Sequence, residues 1–199
     1  MSSVDSTLIA PIITTRHAVV VRYTKIILQR FFQSLFDEQA KAEVKTEARR
    51  SQVSLFCDQL SHISKWSRSI IENATRGLLL DISRSHEEFD LQKELKNFLV
   101  PHLCVIADGG HCARQIILTS DHVRDFLHNL LTDCADHLIK VATVFEPNYD
   151  YMDRMRILDI IYTKEIEQNL ISFVQMYKHS ILTQIDGNPA GIIRGIGDY

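Results

Sequence analysis

From residue 12 to residue 76 the chain contains neither glycine nor proline, and the same holds from His111 to Glu146 and from Asn148 to Asp186. Strand-rich folds need both residues at frequent turns, whereas the interior of a long helix excludes them. This spacing alone predicts an all-α chain.

Hydrophobic periodicity agrees. A first helix is expected from a cap at Thr14 or Thr15 to about Gln39, with Val20, Thr24, Ile27, Phe31 and Leu35 on one face and a polar stripe of Arg22, Lys25, Gln29 and Gln33. With so little polar surface, it is the candidate for the central helix. Val53, Phe56, Leu60, Ile63, Ser67, Ile70, Ala74 and Gly77 then alternate spacings of three and four, which predicts one long rod from about Thr46 to Ile82. Ser83 or Ser85 is expected to cap a shorter helix that ends at Pro101, and His102 to Gly110 to form a loop before a short helix at 111–118. Ser120 opens the cleanest amphipathic stretch, Val123 to Ala142. A last helix is expected over about Asp150 to Ile185. Helices of this length pack most simply as an elongated antiparallel bundle of about five to six helices. The domain reading is an irregular lead-in over 1–14, a helical bundle over 15–185 and a glycine-rich tail over 186–199.

Hydrophobic residues make up 45% and charged residues 24%, enough apolar surface to build a core. The net charge of -3 gives no general attraction to nucleic acid, and no apolar run is long enough to span a bilayer. The first residues do not fit a secretory leader, so Cys57, Cys104, Cys112 and Cys134 are expected as free thiols in an intracellular, reducing compartment, or in a particle assembled there.

Few residues suggest chemistry. His102, Cys104, His111 and Cys112 surround an Asp108-Gly109-Gly110 turn, the ligand types zinc prefers, with Cys134 and His137 as further donors. The spacing lacks a paired knuckle, and buried thiols and loop polar groups account for the same residues. Cys104 or Cys112 with a histidine could form a nucleophilic pair, but no spacing identifies one. Asp133 with His137 and Asp125 with His128 are expected as surface pairs. A carboxylate-bridged di-metal bundle needs Glu-x-x-His, which does not occur in the chain.

The tail holds four of the seven glycines together with Ile192, Ile193, Ile196 and Tyr199, an apolar content unlike that of a linker. The leading functional expectation is a non-enzymatic structural or scaffolding subunit of a cellular complex or virion shell. It would work by helix-face packing and by docking of those four tail residues onto itself or other subunits, aided by surplus apolar residues of the first two helices. The alternatives are a helical domain with a structural or hydrolytic Cys/His zinc site, and an adaptor that takes a partner helix in a bundle groove.

Overall fold

The computed structural model describes residues 6–43, 51–85, 89–106 and 117–187. Among them are six α-helices, two short 3-10 turns and no strand: α1 Ser6–Glu43, α2 Gln52–Leu60, α3 Arg68–Ser85, α4 Leu91–Ile106, α5 Ser120–Lys140 and α6 Tyr151–Gly187. The chain is all-α, and its helices pack as a bundle.

The first helix begins earlier than its apolar pattern suggests. Residues 6–14, expected as an irregular lead-in, are helical with Pro11 inside. As the sixth residue of the helix, Pro11 forfeits one backbone bond, the one an N–H at this position would make to the carbonyl of Thr7. Thr14 and Thr15, expected as caps, instead donate their hydroxyls back to the carbonyls of Ala10 at 3.0 Å and Pro11 at 2.9 Å. α1 is the central helix, packing against α2, α3, α4 and α6. Val20, Thr24, Ile27, Leu28, Phe31 and Phe32 are buried along it.

The rod expected over Thr46–Ile82 is broken. α2 stops at Leu60, a 3-10 turn covers Ile63–Lys65, and α3 starts at Arg68. No glycine or proline marks the break, and the side chains that follow Leu60 bond back to the last turn. Ser61 Oγ donates to the Asp58 carbonyl at 2.7 Å, and His62 Nδ1 stands 2.6 Å from the same oxygen. Such local bonds offer the backbone an alternative to the helical ladder. Ile63 is buried at the bend, and Trp66 packs edge-on against Phe31. The heptad-like spacing therefore spans two helices and the turn between them.

Two more boundaries shift for local reasons. α4 is capped by Asp90, whose Oδ1 accepts from the backbone N–H of Gln92 and Lys93, and it runs through Pro101 to Ile106. Ser83, an expected cap, donates to the Phe89 carbonyl across the preceding turn. α5 is capped by Thr119 in a capping box with His122, one residue before Ser120. The short helix expected at 111–118 lies mostly outside the described residues.

Cross-helix pairs fix the directions. His122–Tyr177, Phe126–Phe173, Asp133–Asn169 and His137–Glu165 run in opposite senses, so α5 and α6 are antiparallel. Arg154 of α6 ties the connection down by donating to the carbonyls of Val144 and Glu146. At one end of the bundle, Phe36, Phe56 and Phe145 form an aromatic cluster that joins α1, α2 and the α5–α6 connection.

Candidate functional site

The zinc candidates do not form the loop cluster expected of them. His102 lies in the last part of α4, with Nδ1 2.8 Å from the Phe98 carbonyl and its ring 4.4 Å from that of Phe98. Position 104 lies on the same helix, so the two positions are about 200° apart around its axis and do not share a face. The side chain of Cys104, together with His111 and Cys112, lies outside the described residues. Among those described, no group of three or more His, Cys, Asp and Glu is arranged to hold a metal ion. Ile192, Ile193, Ile196 and Tyr199 also lie outside them. α6 continues through Gly187, into the start of the expected tail.

A polar seam between α5 and α6 was not legible as a surface feature. His137 does not turn to Asp133 of its own helix; its Nδ1 stands 3.0 Å from Oε1 of the buried Glu165 on α6. The contact is an ion-pair distance without hydrogen-bond alignment, which leaves that oxygen without a hydrogen-bond partner among the described residues. Asp133 instead accepts from Asn169 Nδ2 at 2.8 Å, and the same nitrogen lies 3.1 Å from the Glu165 carbonyl. His128 likewise leaves Asp125 and places Nε2 3.4 Å from the Ile63 carbonyl, while Asp125 faces Arg68 at 4.0 Å.

Cys134 is fully buried in this seam. Burial pushes its thiol well above the usual range, and the charges of Glu165 and Asp133 push it further. Burial, and then Cys134, likewise raise the Tyr162 phenol. Cys57 is raised by burial and by Asp58. Both described thiols are thus held protonated, the opposite of what a nucleophilic cysteine requires. The seam is suited to fixing the register of two helices, because a slip would leave buried polar groups unpaired. Its sequence signal was Glu165 and Asn169, one turn apart on the apolar stripe of Tyr162, Ile166 and Leu170.

Two open grooves offer binding surface. One, of about 490 Å³, lies between α1, α4 and α6; Phe98, Leu170, Ile171 and Val174 form its apolar part, with His17, His102, Glu167 and Lys178 around them. The other, of about 400 Å³, lies between α3 and the starts of α4 and α5, where Leu79, Leu80, Phe89, Leu91, Val123 and Leu127 meet. Arg76 and Arg124, beside this second groove, both pair with Glu72.

Comparison with protein-family models, with curated proteins and with solved structures gives no match. The functional reading therefore rests on these surfaces. No helix of the described residues is long and apolar enough to cross a membrane.

Proposed function

We propose that this chain is a non-enzymatic structural or scaffolding subunit of a larger protein assembly, whether a cellular complex or a virion shell. It acts by packing helix faces and docking its C-terminal tail. The observation that carries this reading is the number of large apolar side chains left exposed along α6, with Ile160 and Ile171 on the side opposite its buried stripe. Tyr151, Met152, Ile160, Ile171 and Met176 are five of the nine large apolar side chains that stay exposed among the described residues. The surplus was expected on the first two helices; it falls mainly on the last. A helix that fills its own core and still presents Ile160 and Ile171 on the opposite side is suited to a second packing partner. Burying that surface would contribute roughly 25 cal/mol per Å², before the cost of association.

The test is the mass of the assembly in solution, measured by sedimentation for the full chain and for a chain ending at Gly187. Among the described residues the buried core runs from Val20 to Tyr177, so the shortened chain should keep its helical circular dichroism and melting temperature. It should also fall to the monomer mass. A shortened chain that assembles like the full one defeats the tail-docking reading.

A second reading, an adaptor that takes a partner helix, is favoured by the groove beside α3. That helix buries only Ile71 and Thr75 among its described side chains and leaves Ile70 and Leu80 about half exposed. Titration with amphipathic helical peptides, followed by calorimetry, separates a one-to-one adaptor from a self-assembling subunit.

A further inference from the structure

We propose that the groove between α1, α4 and α6 is the seat of the C-terminal tail of a second copy of this chain, which binds parallel to α6. The proposal rests on the tail-docking reading above and adds where the tail goes and in which direction. Twelve residues, Asn188 to Tyr199, follow the last described position, and they carry Ile192, Ile193 and Ile196 with one cation, Arg194, and one side-chain anion, Asp198. The groove carries the complementary set. Ile171 is 58% exposed and stands over the buried Leu170 and Phe98, with Val174 half-buried beside it. Glu167 lies at one end and Lys178 at the other.

Spacing and charge order choose the direction. Glu167 and Lys178 are about 16 Å apart along α6 at 1.5 Å per residue. Arg194 and Asp198 are about 13 Å apart in an extended chain at 3.3 Å per residue, and the reach of the lysine side chain covers the difference. With Arg194 at Glu167 and Asp198 at Lys178, Ile196 falls about 7 Å beyond Arg194, while Ile171 is about 6 Å beyond Glu167. The isoleucines therefore meet. The chain's own tail cannot take this direction. To reach this groove from Gly187, beyond Lys178, it would have to double back, which would bring Arg194 in on the lysine side and Asp198 toward Glu167. A tail from another molecule is free to run the other way. Each copy then offers one tail and one groove, a head-to-tail contact.

Complementation between two full-length variants tests this. Ile196→Asp spoils the tail and leaves the groove intact; Ile171→Asp spoils the groove and leaves the tail intact. Both proteins should keep the wild-type circular dichroism spectrum, because Ile171 is exposed and Ile196 follows the last described helix in sequence. Each alone should sediment as a monomer, and an equimolar mixture should form a heterodimer. Placing Lys178→Glu in the groove donor of that mixture should weaken the complex about tenfold, and Asp198→Lys in the tail donor should restore it to within about threefold.

If Ile196→Asp abolishes assembly and Ile171→Asp does not, the tail docks elsewhere. The groove assignment then fails while the structural-subunit reading stands. If both variants are monomeric and do not complement, or if the charge exchange fails to rescue, the parallel seat is wrong. A wild-type chain that is itself monomeric overturns this proposal and the reading beneath it together.

Discussion

α5 and α6 carry the same three-and-four apolar spacing and pack against each other, yet they spend it differently. α5 buries Val123, Phe126, Leu127, Leu130, Leu131, Cys134, Ala135 and Leu138, and it has none of the exposed large apolar residues. α6 buries Leu158, Tyr162, Ile166, Leu170, Phe173 and Tyr177 and still shows five large apolar side chains to solvent. One helix exhausts its apolar surface inside the fold; the other has some left over. The contrast teaches that periodicity reports which side faces the core, whereas the content of the opposite face tells whether a helix has finished packing.

The largest test of the contrast is a pair of truncations. Leu130 on α5 is fully buried. Leu130→Ala removes three heavy atoms from a dense core and should cost about 3 kcal/mol, lowering the melting temperature by roughly 6–12 °C for a domain of this size. Ile171→Ala on α6 should cost less than about 0.5 kcal/mol. Thermal melts of the two variants, followed by circular dichroism, decide the matter. Similar losses in both would mean that the outer face of α6 already packs inside the fold.

The same contrast marks how far the sequence could be read. The all-α class, the central place of α1 and the whole buried face of α5 were legible, because long glycine-free stretches and unbroken periodicity have one common cause. The break between α2 and α3 was not. Helical spacing continues across Ser61 to Ser67, and no glycine or proline marks the point where α2 ends at Leu60. Pairing across helices was hidden for a related reason. A helical wheel places His137 beside Asp133, but it cannot show that α6 brings Glu165 within 3.0 Å. Proline ordinarily ends a helix, which places His102 in a loop by sequence; α4 instead runs through Pro101.

The seam between the two helices predicts how the fold responds to alkali. The Cys134 thiol lies well above its ordinary 9.0 in the folded chain, chiefly through burial, then through Glu165 and Asp133. The unfolded chain gives up that proton near the ordinary value, so it binds fewer protons than the folded chain at higher pH. The contribution is complete below about pH 9 and declines above it, with a limiting slope of about 1.4 kcal/mol per pH unit. The phenol of Tyr177, pushed up to about 12 by burial, acts in the same direction from its ordinary 10.0. Urea midpoints should therefore be level between pH 7 and 8.5 and fall above 9. Cys134→Ala should be less stable at neutral pH through the lost packing, but its midpoint should stay flatter between pH 9 and 10. A variant that falls as steeply as wild type in that interval would remove the thiol from the account.

The smallest expected effect is the most discriminating, because it asks whether the outer face of α6 has any role in the fold. Ile160 is 66% exposed, so replacing it by serine removes little buried area, and the helix-propensity difference between the two residues is a few tenths of a kcal/mol or less. Ile160→Ser should therefore shift stability by less than about 0.5 kcal/mol in either direction. Lys25, on α1, pairs at 2.7 Å with Asp159, the neighbouring residue in sequence, so the α1–α6 contact has an anchor that the substitution leaves in place. If the variant melts with wild type, Ile160 is dispensable to the monomer, and this part of α6 is free to pack against a partner. If it instead loses as much as a core truncation, Ile160 is already satisfied within the fold, and the distinction drawn between α5 and α6 disappears.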